Sequence, residues 1–90
     1  MNIDYKTSFL KDLKKIDSKS IKLKVKNSIE NIENSKNLQD INNIKKMQGK
    51  NNKDFYRIKI DNYRIGIKIE NDLVIFVRIK HRRDIYKYFP

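Results

Sequence analysis

Arg57 and Lys59 alternate with Tyr56, Ile58 and Ile60, and Arg64, Gly66 and Lys68 alternate with Tyr63, Ile65, Ile67 and Ile69. A strand with that period is apolar on one face and cationic on the other. His81 and Tyr86 follow near the end of the chain. Together these groups have the chemistry to cut RNA without metal. When the 2′-hydroxyl attacks the neighbouring phosphate, the reaction needs a proton acceptor, a proton donor for the leaving oxygen, and cations on the phosphorane. The cationic face with His81 and Tyr86 can supply all three. Metal-assisted cleavage would need clustered carboxylates or histidines. The only histidine is His81, and no acidic residue sits on the basic strand face before Glu70.

The elements that must position these groups are short strands. Asp61-Asn62 is a good two-residue hairpin turn, because both residue types tolerate positive φ. It sets Ile60 opposite Tyr63, Lys59 opposite Arg64, Ile58 opposite Ile65 and Arg57 opposite Gly66. Like charges facing across a ladder repel, and a glycine inside a strand leaves a gap that marks close approach by something else. A bound polyanion fits that description, and so does a plain solvated face for the charges. A third strand runs from Leu73 to about His81 after Asn71-Asp72, apolar on both faces at its start. A two-residue loop puts Arg78 on the apolar side of the sheet; a three-residue loop puts it beside Arg64. Every arginine (Arg57, Arg64, Arg78, Arg82, Arg83) lies from position 57 onward, whereas lysines run throughout. That segregation points to a phosphate site in the C-terminal half, since the guanidinium fork matches phosphate in a way an ammonium does not.

Upstream, Met1 to Tyr5 can form a short strand. Thr7 or Ser8 can cap a helix carrying Phe9, Leu10, Leu13 and Ile16. Asp17-Ser18 interrupts it and offers a second cap, after which Ile21, Val25, Ile29 and Ile32 stripe a longer helix to about Glu33. The two should form an antiparallel hairpin whose narrow stripes pack on the sheet. Residues 34–54 are polar, with Leu38, Ile41, Ile44 and Met47 spaced for another helical turn or two, and Gly49 to Asp54 reads as a loop. The helix-two lysines, Lys19 to Lys26, read as a solvated face, and Tyr56 and Tyr63 as core.

Ninety residues make one domain, 1–90, with one modest core. There is no cysteine, hence no disulfide framework, and no apolar run long enough for a signal peptide or a bilayer span. A cytoplasmic location without membrane contact is expected. The net charge of +11, from 22 Lys+Arg against 11 Asp+Glu, is the footprint of a nucleic acid, an anionic membrane surface or an acidic protein partner, and does not by itself choose among them.

The combination of YRIKI, DN, YRIGI, a hydrophobic strand and HRRDIY resembles the RelE/ParE superfamily of type II toxin–antitoxin toxins. KMQG is similar to the family's L-x-G, and the closing IYKYFP is similar to archaeal RelE-type toxins, so the likeness covers nearly the whole chain. The resemblance implies an α+β fold, with an N-terminal helix hairpin on a twisted, mainly antiparallel sheet. The implied order is β-α-α-β-β-β with a short C-terminal helical tail. It implies a ribosome-dependent endoribonuclease that needs no cofactor and no metal, enters the A site and cuts mRNA there. The family's catalytic positions fall on Arg57, Lys59, Arg64, Arg82 and Tyr86. By that analogy Tyr86 is the general base, and an arginine protonates or stabilises the leaving oxygen. His81 matches the histidine that is acid or base in related members, which leaves open whether it or an arginine is the acid. A phenol of ordinary pKa, roughly 10, needs neighbouring cations for that role, so Tyr86 must face the cluster. Lys68, Arg78, Lys80 and Arg83 are expected to contact RNA phosphates. A cognate acidic antitoxin would wrap the toxin, and operator DNA would be met only through that complex. The alternatives are a ParE-like toxin that traps DNA gyrase without nuclease chemistry, and a decayed toxin acting as a basic binding module.

Overall fold

The computed structural model describes residues 1–49 and 54–90, and its centre is the hairpin that the alternation from Phe55 onward specifies. Strands β3 (Phe55–Ile60) and β4 (Tyr63–Glu70) pair with Ile60, Lys59, Ile58 and Arg57 opposite Tyr63, Arg64, Ile65 and Gly66, as expected. Asp61 takes φ 50° at the turn, a left-handed conformation that aspartate tolerates through its short polar side chain.

Strand β5 (Leu73–His81) resolves the open register in a way neither loop length anticipates. The loop is the two-residue one, with Glu70 opposite Leu73, and pairing runs regularly to Ile67↔Phe76. The ladder then skips Val77, so that Gly66 faces Arg78 and Arg64 faces Lys80. One extra residue reverses the alternation beyond it. Arg78 therefore lies on the cationic face despite the short loop, which corrects the expectation that this loop would turn it to the apolar side.

Two further strands complete the sheet. β1 (Asn2–Tyr5) runs parallel to β5 and reaches only as far as Phe76. At the other edge β2 (Ile44–Lys46) pairs antiparallel with β3, setting Lys45 opposite Arg57. The order is β1-β5-β4-β3-β2. β2 corrects the expectation of extra helical turns around Leu38, Ile41, Ile44 and Met47. Only Leu38–Asp40 winds, as a single 3-10 turn. Asn43 then adopts φ 62°, and Ile44 extends to pack against the core. The loop expected over Gly49 to Asp54 falls largely outside the described residues.

Helices α1 (Thr7–Lys14) and α2 (Lys19–Asn34) cover one face of the sheet. Phe9, Ile21, Val25 and Ile32 are buried there with Ile58, Ile65, Ile67, Phe76 and Ile79. Ser18 caps α2 as expected, its Oγ accepting from the Ile21 N–H at 3.2 Å. The cap of α1 differs: Lys6 occupies the position with no side-chain bond, and the Ser8 hydroxyl donates to the Val77 carbonyl at 2.6 Å. The reason lies in the sheet. β1 stops at Phe76, so the rest of β5 would be an open edge, and α1 closes it with Ser8 and with Asp12, which accepts from the Ile79 N–H at 3.2 Å. Leu10, expected in the stripe, is 45 % exposed, while Asp12 is buried. Among the described residues no helix is long and apolar enough to cross a membrane.

Candidate functional site

The face of the sheet away from α1 and α2 carries the cations in two rows. Lys45, Arg57, Gly66 and Arg78 stand side by side in one, and Lys59, Arg64 and Lys80 in the next. The gap above Gly66 is real but already filled, which corrects its reading as a place for a polyanion. A Cβ there would lie 2.5 Å from the Phe89 ring, and Phe89 is 1 % exposed. The glycine exists so that the chain's own tail can lie on the sheet. Gly66→Ala should therefore cost about 1–3 kcal/mol, the usual penalty for overpacking, read as a lower denaturant midpoint. An unchanged midpoint would mean that the ring is not seated there.

That tail is α3 (Ile85–Tyr88) with Phe89 behind it. Ile85 and Phe89 are buried in a small second core with Met47, against Phe55 and Val77. Phe55 meets Phe89 edge-on at 5.4 Å. Anchored by these residues, the helix turns Tyr86 to one side and Tyr88 to the other. Tyr86, 60 % exposed, lines a groove of about 410 Å³ with Lys45, Lys46, Arg57 and Phe89 among its walls. On the other side Tyr88 covers Arg78 and Lys80, at 5.1 and 4.7 Å from the ring centre.

Beneath Tyr88 lies Asp12. Its carboxylate accepts from Arg78 Nε at 2.8 Å and from a second guanidinium nitrogen at 3.0 Å. Lys80 Nζ stands 3.1 Å from the same group. Asp12 is only 4 % exposed in its side chain, against 23 % for Arg78 and 22 % for Lys80. A fork-to-fork pair of this kind is both strong and oriented. Arg78 and Lys80, expected to meet RNA phosphates, are thus held by an internal partner.

The other expected residues are distributed as follows. Arg57 and Tyr86 share the groove. Lys59 lines a separate cleft of about 450 Å³ beside α2, with Lys24, Asn27 and Asn43. Arg64 turns back to the hairpin tip and donates to the carbonyls of Asp61 and Tyr63 at 2.8 and 2.9 Å. Arg82 is exposed just past β5, its backbone N–H bonded to the Asn62 carbonyl at 2.7 Å. His81 stands opposite Tyr63, a residue of the helix-covered face, and packs edge-on against its ring. His81 Nδ1 accepts from the Arg83 N–H at 3.2 Å, and its pairing with Tyr63 sets the imidazole on the helix-covered side, away from the cationic rows. Lys68 pairs with Glu70 at 2.7 Å; that hydrogen bond and charge raise the lysine above its ordinary pKa and lower the glutamate below its own.

Lys45, Asp12 and Tyr88 are the residues sequence reasoning missed. Lys45 was hidden by the helical spacing around it. Asp12 carried a usable signal, as the sole acid of α1 and three residues from Phe9 on the buried side. Among the described residues no group of three or more His, Cys, Asp or Glu side chains can hold a metal ion, and the groove offers the chemistry of arginine, lysine and tyrosine.

The family model for the ParE toxin of type II toxin–antitoxin systems (parDE) matches residues 3–86. Toxin RelE3 of Methanocaldococcus jannaschii is 43 % identical over 91 residues, covering all of both chains. In solved structures, the RelB–RelE antitoxin–toxin complex from Methanococcus jannaschii contains a chain that is 40 % identical. It superposes with a TM-score of 0.80 over 97 % of this chain and 99 % of that one. The archaeal RelE–RelB complex from Pyrococcus horikoshii gives a TM-score of 0.70 at 15 % identity, over 90 % and 93 % of the two chains, a likeness of fold.

Proposed function

The chain belongs to the ParE toxin family of type II toxin–antitoxin systems, and from that premise we propose that it is a RelE-type mRNA interferase comprising one domain over residues 1–90. The observation that carries this reading is the groove in which Tyr86, Arg57 and Lys45 converge. A phosphate seated there places its ribose 2′-hydroxyl against Tyr86, which takes the proton as the 2′-oxygen attacks phosphorus. Arg57 and Lys45 offset the charge of the phosphorane, and a cationic side chain protonates the departing 5′-oxygen, leaving a 2′,3′-cyclic phosphate. Arg64, Lys59 and Arg82 extend the cationic surface along the flanking backbone. Three cations concentrated at one phosphate do little to orient a free substrate. The reaction accordingly depends on the ribosome to present the A-site codon, and naked RNA is not cut.

The partners of this reading are the ribosome and its mRNA in the cytoplasm, and an acidic antitoxin that neutralises the cationic face. The M. jannaschii relative was solved with RelB as antitoxin, which supports such a partner here; operator DNA is contacted only through that complex. The test is to induce the chain from a tightly repressed promoter and map mRNA 5′ ends on translating ribosomes. New ends within A-site codons are expected. The matched family model is named for ParE toxins, which keeps one rival in play: growth arrest with DNA-damage signals and no new mRNA ends would establish the gyrase-binding reading instead.

Lys45 provides an independent check on the groove. Lys45→Ala should slow single-turnover cleavage on programmed ribosomes by about 10²-fold, near the cost of removing one preorganised oxyanion donor. A rate equal to that of the parent would remove Lys45 from the site.

A further inference from the structure

Tyr88 sits where the proposed reaction has no use for it. It is 53 % exposed, although the residues on either side of it in the tail's packing, Ile85 and Phe89, are buried. Its ring is backed by Lys80 and Arg78, and both cations are fixed by the buried Asp12 carboxylate. The ring thus rests on a support that is already ordered, so a ligand that stacks on it has little side-chain entropy left to remove. Arg64 is the ladder neighbour of Lys80, and Tyr86 lies two positions earlier on the same helix. The exposed ring accordingly borders the second cationic row, across the tail helix from the groove that Tyr86 lines.

An open aromatic ring among cations has a specific complement. Unpaired RNA presents a flat base and a phosphate one bond path apart, and proteins that hold single strands combine an aromatic platform with a positively charged track. An apolar protein side chain would match the ring but leave unanswered the one positive charge that Asp12, a single carboxylate between two cations, does not offset. We propose that Tyr88 is a stacking platform for an unpaired nucleobase whose phosphate meets the second cationic row, with Asp12 as the positioning residue behind it. This assignment rests on the reading of the chain as a protein that acts on RNA, but it concerns binding and not cleavage.

The experiment is equilibrium binding of a short fluorescein-labelled oligoadenylate, followed by anisotropy across a salt series, for the parent, Tyr88→Phe and Tyr88→Leu. Phenylalanine keeps the π-face and should bind as the parent does. Leucine keeps apolar bulk over the cations but cannot stack, and should weaken binding about ten- to hundredfold, the factor for one lost base–aromatic stack. The salt slope should stay the same, because slope counts phosphate contacts and not stacking. Parent-like binding by Tyr88→Leu overturns the proposal. So does a loss accompanied by a shallower slope, which would mean that the ring only keeps Arg78 and Lys80 in place, and so does a parent that fails to bind at low salt. Stacking-dependent binding together with an absence of new mRNA ends on ribosomes would leave the platform standing and defeat the interferase reading alone.

Discussion

Tyr86→Phe should lower ribosome-dependent mRNA cleavage by about 10²–10⁴-fold, the usual contribution of one positioned acid or base, and should leave thermal stability unchanged. The change removes a single oxygen from a ring that is 60 % exposed, and no hydrogen bond of that hydroxyl holds the fold together among the described residues. Tail packing depends instead on Ile85 and Phe89, which the variant retains. Single-turnover cleavage on programmed ribosomes, measured beside a melting curve, separates the two effects. Arg57→Ala should behave in the same manner, because Arg57 makes no ion pair among the described residues. Parent-like cleavage by Tyr86→Phe would require another base, and among the described residues that line the groove there is no second phenol, imidazole or side-chain carboxylate.

The largest effect on stability is expected at Asp12. Asp12→Ala leaves Arg78 and Lys80 without their counter-charge and strips the acceptor from the Ile79 N–H. Breaking a buried pair on one side costs about 3–5 kcal/mol, a large part of the roughly 5–15 kcal/mol that holds a domain folded. In a chain this short that corresponds to a fall in melting temperature of more than about 10 °C. Asp12→Asn should recover part of the loss, since the amide oxygen still accepts from Ile79. A melting point within a few degrees of the parent for Asp12→Ala would show that Arg78 and Lys80 find water or another partner at little cost.

The hairpin and its register were legible because two signals agreed there: period-two alternation and a turn of two residues that accept positive φ. The helix pair was legible from spacing, and Ser18 as the second cap. What could not be read has a physical cause in each case. β2 is three residues long, too short for alternation to register, and Ile41, Ile44 and Met47 at intervals of three imitate a helix. Nothing local distinguishes Val77 as an extra residue, because a bulge is a property of the pairing and not of one strand. The gap at Gly66 was visible in the sequence, yet its occupant was not, since Phe89 reaches it only through the folded tail. Arg57 and Tyr86 were legible as groove partners through the family pattern. The ties of Arg78 and Lys80 to Asp12 span helix and sheet, and no spacing rule connects them.

The unpaired Val77 also bears on how this strand can change in length. Anywhere else in β5, losing or gaining one residue would exchange its two faces, driving cations into the core and isoleucines into water. At Val77 a deletion would instead leave Phe76 followed directly by Arg78, each still opposite its present partner, Ile67 and Gly66. The cost would be the Ser8 bond to the Val77 carbonyl and one apolar contact under the tail. Evolutionary insertions and deletions in this strand are therefore expected to gather at this one position, where the ladder carries a spare residue and heredity can remove it without turning the protein inside out.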